Sequence, residues 1–357
     1  MFLFFFSLTG FYVLSPMQEA SRLTTIKTPS MISIHFAPLQ GYTDAAFRRL
    51  HHELWGGITA YYTPFVRIEK GAFRRKDLAD IAPAANAGVP VVPQMLPRNA
   101  DELCRMADLF IENGYARADI NMACPFPPVV LHGRGAGLLP HPDAVEGILD
   151  ATRRYPELSF SVKMRLGWDN ADDCMRLAPL LNDYPLHHVT LHPRIGKMQY
   201  KGSPSIDDFE AFGDACRLPL IYNGDILSLG GIARMHELFP WLAGVMIGRG
   251  LLAAPQLASV YAAGETRLFT PSVVSRLQHF HDAIYNRLQA TSQGESQLMV
   301  RLHALWQYFL PDAPRRERKA LLKTHDAAGY CRMAAMLFDA WREACGRQDA
   351  CCGSSVL

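Results

Sequence analysis

Apolar residues in this chain recur with two different periods. Short β-type runs rich in branched and aromatic side chains occupy 32–38 (ISIHFAP), 58–64 (ITAYYTP), 89–95 (VPVVPQM) and 116–122 (ARADINM). Four more follow at 159–165 (SFSVKMR), 187–193 (HHVTLHP), 218–224 (LPLIYNG) and 243–250 (AGVMIGRG). Between most of them lie stretches with apolar residues at helical spacing, such as NADELCRMADLFIENG and DAVEGILDATRRY. Strand then helix, eight times over, predicts an α/β chain folded as a (β/α)8 TIM barrel across 31–262. A doubly wound sheet would need a glycine-rich turn after its first strand, and APLQGYTD contains none. After 262 the strand pattern stops. VVSRLQHFHDAIYNRLQ, LMVRLHALWQYFL and AGYCRMAAMLFDAWREA predict helices, so a smaller C-terminal helical domain is expected over 263–345, with a flexible tail at 346–357.

Polar residues gather where these strands end. Gln40 follows the first and Gln94 ends the third, while Asn121 and Cys124 close the fourth. Lys163 and Arg165 end the fifth, His192 and Arg194 the sixth, Asn223 and Asp225 the seventh, and Gly248-Arg249-Gly250 the eighth. The C-terminal face of such a barrel is where active sites are built, so the pattern predicts an enzyme. NGDI and GRG set glycines at the last two strand ends. Backbone N–H groups there approach an anion closely, and Arg249 adds a charge-assisted contact. A phosphorylated cofactor or substrate is implied.

Composition narrows the picture. The 357 residues are 49% hydrophobic and 20% charged, with a net charge of +2, which excludes a disordered polyelectrolyte. Between 271 and 347 there are 11 Lys/Arg against 7 Asp/Glu, so this part carries +4 and the remainder −2. The excess includes PDAPRRERKALLK and suits a polyanionic partner or a solvated helix face equally. The 8 cysteines show no C-x-x-C spacing, so no metal site is expected, and scattered thiols point to a reducing, cytoplasmic setting. Residues 1–30 begin with an apolar run too short to span a bilayer comfortably and lacking a basic signal-peptide start. They read as an N-terminal extension before a natural start at Met31, with a membrane anchor as the alternative.

The stretch DINMACPFPPVVLHGRGAGLL, 119–139, leaves a strand into prolines and glycines, with Cys124 at the first bend. Prolines so close together continue neither strand nor helix, so the loop is constrained. By itself Cys124 could be a buried structural thiol or a reacting group.

Taken together, APLQGYTDAAFRRL, VPQM, DINMACP, GRGAGLL, VKMRLG, LHPR with YKG, NGDI and GVMIGRGLLAAP resemble the tRNA-dihydrouridine synthases, FMN-dependent barrels. They occur in that family's order across about 34–255. The resemblance implies FMN held by backbone from Pro38 through Leu39 to Gln40 and by Gln94, Lys163 and His192. Asn223, Gly224, Asp225, Gly248 and Arg249 would hold its ribityl chain and phosphate. Asn121 and Lys201 would meet the target uracil, and Cys124 would protonate C5 opposite a hydride delivered to C6. A thiol, mostly protonated at neutral pH, suits an acid. The resemblance further implies NADPH or NADH as electron donor, a tRNA substrate clasped by the C-terminal helices, a monomer and no membrane partner. Ala123 stands where the family usually has Gly. HPRIGKMQYKG replaces the commoner H-G-R-T, which bears on how the base is placed. Ribosomal RNA as substrate, an FMN barrel acting on a small molecule, and a catalytically silent RNA-binding relative are the competing readings.

Overall fold

Eight parallel strands close into a ring in the computed structural model, which describes residues 32–353. The expected extension at 1–30 lies outside the described residues. The strands are Ser33–Phe36, Ala60–Tyr62, Val91–Val92 continued by Gln94–Met95, Arg117–Met122, Ser159–Arg165, Val189–His192, Leu220–Tyr222 and Gly244–Ile247. The last pairs with the first in parallel, Ser33 opposite Gly244, and closes the barrel. Pro93 divides the third strand, since it has no N–H for the ladder. The first half pairs with the second strand and the second half with the fourth. At the break the Thr63 hydroxyl accepts the Gln94 backbone N–H at 3.0 Å.

Alternation along the strands sends side chains to two places. Ala60, Tyr62, Val92, Ile221 and Met246 form one buried apolar cluster, whereas Phe36, Tyr61, Met122 and Val245 belong to the larger core that includes helix residues. Four of the barrel helices begin at a polar residue that caps them. Asp44, Asn99, Ser205 and Ser228 accept backbone N–H groups at the starts of Ala45–Leu54, Ala100–Glu112, Ile206–Ala215 and Leu229–Leu238.

The C-terminal helices are Pro271–Thr291, Glu295–Trp306, Arg315–Leu321 and Ala327–Gly353, the last continuing past the boundary expected at 345. Phe280, on the first of these, meets Phe47 of the barrel helix edge-on at 5.5 Å. Tyr330 is buried among them, accepting from Trp306 Nε1 at 2.7 Å and lying 2.7 Å from His281 Nε2. Arg318, in the basic segment, donates to the Trp306 carbonyl at 2.6 Å, while Arg315, Arg316 and Lys319 are exposed. One of the four cations on Arg315–Leu321 therefore ties that helix to the end of Glu295–Trp306. Among the described residues no helix is long and apolar enough to cross a membrane.

Candidate active site

A cavity with about 950 Å3 of atom-free space, its open mouth included, lies at the C-terminal ends of the strands. Its wall contains Pro38, Leu39, Gln40, Gln94, Asn121, Cys124, Lys163, His192, Asn223, Gly224, Asp225, Gly248 and Arg249. The structure thus brings together every sequence-expected site residue but one. Lys201 is exposed and does not line the cavity; the preceding residue, Tyr200, does. Phe65 and Arg165 also line it without having been assigned a role. Arg165 was visible as a polar strand end, but nothing local distinguished Tyr200 or Phe65.

One wall is a chain of buried hydrogen bonds that begins at Asp119, the first residue of DINMACP, to which the motif assigned no role. Asp119 accepts from Ser161 Oγ at 2.6 Å and from Gln94 Nε2 at 2.7 Å. A carboxylate only accepts, so the Gln94 amide must turn its oxygen the other way, where Asn121 Nδ2 donates to it at 2.7 Å. Asn121 in turn presents its oxygen to the backbone N–H groups of Ala123 and Cys124, both at 2.9 Å. One acidic group thereby orients two amides and the backbone entering Cys124. Burial raises Asp119 to about 6, against the Gln94 and Ser161 hydrogen bonds and the nearby Lys163 and Arg117 charges.

The adjoining strands are cationic, starting with Lys163, which lies beside Asn121 in the register of the fourth and fifth strands. Burial, then the Arg165 charge, lowers Lys163 to about 8, while Asp119 and Cys124 pull it upward. Arg165 donates to the Ala123 carbonyl at 2.9 Å and to the Gln199 carbonyl at 2.9 Å, tying the fourth strand end to the loop that carries Tyr200. Arg194 and Arg249 both reach the Asp225 carboxylate. Burial pushes Asp225 up, but the two guanidiniums outweigh it and hold the group below its ordinary value. His192 is kept neutral by burial and by the surrounding Arg165, Lys163, Arg194 and Arg249 charges. Arg194 donates to its Nε2 at 3.1 Å, so the proton sits on Nδ1. Arg249 also stacks on the Tyr200 ring at 4.7 Å.

Cys124 lines the same cavity. Burial raises its thiol above the ordinary value, opposed by the Phe126 backbone N–H and the Arg165, Lys163 and Arg67 charges. The thiol is therefore protonated at neutral pH. The glycines of GRGAGLL explain how it is held. Gly135 has φ +58°, and a Cβ there would lie 2.7 Å from the Cys124 carbonyl oxygen and 3.0 Å from Cys124 Cβ. A Cβ at Gly137 would lie 2.8 Å from the Val130 carbonyl. Only glycine lets the return limb of the loop approach this closely, and Ala136 N–H then bonds the Cys124 carbonyl at 3.1 Å.

The donor set can be compared with the implied flavin. Lys163, Arg165, Arg194 and Arg249 face two carboxylates, Asp119 and Asp225, leaving an excess of positive charge for an anion. Gln94, Asn121 and Asn223 offer amide groups of the kind that pair with a uracil-like ring edge. Among the described residues no group of His, Cys, Asp and Glu side chains has a metal-binding arrangement. The residues fit a phosphorylated flavin.

Comparison with known proteins agrees in kind. The family model described as dihydrouridine synthase matches residues 35–334. The chain is 29% identical over 229 residues to tRNA-dihydrouridine synthase B of Pasteurella multocida, covering 64% of this chain and 68% of that one. It is 29% identical over 268 residues to tRNA-dihydrouridine(16) synthase of Haemophilus ducreyi, covering 70% and 79%. Against tRNA-dihydrouridine synthase B of Yersinia pestis it is 27% identical over 304 residues, covering 82% and 91%.

Proposed function

The chain belongs to the dihydrouridine synthase family, and we propose that it reduces specific uridines of tRNA to 5,6-dihydrouridine, with FMN as cofactor and NADPH or NADH as electron source. The observation that carries this reading is the half-buried Cys124, whose thiol burial keeps in the protonated form, lining the same cavity as cationic and amide side chains. When bound, the reduced flavin supplies the hydride for uracil C6.

The remaining work falls to the chain itself. Asn121, its oxygen committed to the backbone, keeps one Nδ2 proton free to donate to the uracil. Cys124 Sγ–H transfers its proton to C5 as the C5–C6 π pair becomes the new C–H bond, and the resulting thiolate is reprotonated from water. Lys163, flanked by Asp119, supplies fixed positive charge where the ring would gather negative charge. Gln94, His192 and the backbone of 38–40 would hold the ring. Asn223, Gly224, Gly248 and Arg249 would hold the ribityl chain and phosphate, with Asp225 aiming Arg249 rather than meeting the phosphate. Tyr200 takes the place at the cavity that the sequence assigned to Lys201. Arg315, Arg316 and Lys319 would meet RNA phosphates.

The test is chemical. Purified protein loaded with FMN and supplied with NADPH is given unmodified tRNA transcripts, and dihydrouridine is measured by mass spectrometry. Formation at defined positions is expected. A protein that binds no flavin, or that leaves tRNA unchanged while reducing ribosomal RNA, would overturn the assignment.

A further inference from the structure

Beside the reaction cavity lies a second one, with about 1410 Å3 of atom-free space including its mouth. Three elements enclose it: the antiparallel hairpin Ile68–Glu69 and Ala72–Phe73, the first turn of Ala100–Glu112, and the far side of the Cys124 loop. Five Lys or Arg side chains line it against three carboxylates, a balance of +2. The pairing inside is unequal. Arg134 of the Cys124 loop is spent on Glu102 at 2.6 Å, and Arg67 on Glu69. Lys70 takes part in no ion pair among the described residues, Arg105 donates only to the Gly71 carbonyl, and exposed Arg98 stands 3.9 Å from Glu102. The short ion pairs build the wall, while Lys70, Arg98 and Arg105 stay exposed, Arg105 over the Phe73 ring at 5.6 Å.

The loop between the two cavities carries apolar side chains on its crest. Phe126 is 58% exposed and Leu131 84%, one on each side of the short helix Pro127–Val130. Folding leaves these side chains in water, next to a reacting thiol and a basic cavity.

We propose that the second cavity receives backbone phosphate of the RNA strand flanking the target uridine. Lys70, Arg98 and Arg105 make the phosphate contacts, and Phe126 and Leu131 pack against the adjoining base. This rests on the proposed RNA substrate and adds a docking site that the C-terminal helices do not supply. Charge complementarity favours a polyanion, and the apolar crest beside it favours one that also presents base faces.

The experiment compares full-length, FMN-loaded wild type with the double variant Arg98→Glu/Arg105→Glu. The probe is an unmodified tRNA transcript, titrated at several salt concentrations. Loss of two contacts should lower the slope of log K against log salt by about 1.5, at roughly 0.7–0.9 per contact. Phe126→Ala should weaken binding without changing that slope. NADPH oxidation without RNA should equal wild type in both. If wild type binds tRNA and the double variant keeps its affinity and slope, the site is refuted while the proposed function stands. If the double variant instead slows NADPH oxidation without RNA, the cavity serves the dinucleotide and the RNA site is refuted. If wild type binds no tRNA at any salt, both fail together.

Discussion

Replacing Gly135 by alanine should slow the reduction of uridine without touching any group that reacts. At φ +58° the substitution costs about 1–2 kcal/mol for the left-handed backbone alone. The added methyl would also sit 2.7 Å from the Cys124 carbonyl oxygen, where an ordinary contact is 3.4 Å or more. Relief requires roughly 0.7 Å of movement, and the atom in the way belongs to the backbone of the proton donor. A misplacement near 1 Å can cost about a hundredfold in rate, so a tenfold to hundredfold loss is expected. Gly133→Ala isolates the collision. Its φ is +65°, so it carries the same backbone penalty, but its Cβ would meet nothing nearer than Arg98 Cγ at 3.9 Å. The assay is single-turnover dihydrouridine formation at saturating tRNA, with thermal unfolding and FMN content measured on both variants. Equal rates for Gly135→Ala and Gly133→Ala would refute the argument that Gly135 holds the thiol in place.

Cys124→Ala should keep FMN binding and NADPH oxidation while dihydrouridine formation falls by about 10²–10⁴-fold, the worth of a positioned acid; a wild-type rate would remove Cys124 from the mechanism. Arg249→Ala should lower FMN retention while Asp225 keeps Arg194 as its partner, and unchanged flavin occupancy would count against the phosphate role. Lys163, lowered to about 8, should make the FMN affinity of the flavin-free protein decline between pH 7 and 9 as the cation is lost. The same group raises stability across that window, because the unfolded chain then binds more protons, so calorimetry should show no parallel unfolding; a flat affinity profile would refute it. Arg318→Glu should lower the melting temperature by removing the donor to the Trp306 carbonyl, whereas Arg315→Glu/Arg316→Glu should leave it unchanged and weaken RNA binding; equal melting temperatures for the two would show that the Arg318 contact contributes little.

Strand positions and the end of the barrel that carries chemistry were open to a reader of the sequence. Alternation and helical spacing are local properties, and each polar strand end sits within a few residues of the run that positions it. That is why Gln94, Asn121, Cys124, Lys163, His192 and Arg249 could be named before any fold was known, and why three of the four C-terminal helices were expected near where they lie. What depends on distant partners could not be read. Asp119 looked like one polar position in a buried strand until Gln94 and Ser161, on the strands either side, turned toward it. Tyr200 and Lys201 are neighbours in sequence, and only the loop geometry, held by Arg165 and stacked by Arg249, decides which one lines the cavity. Arg318 looked like any of the basic residues around it, and only the fold brings it to the Trp306 carbonyl, half-buried. Local pattern follows from backbone periodicity and solvent contrast, whereas the partner of a buried polar group is chosen when segments far apart in the chain must satisfy each other's hydrogen bonds away from water.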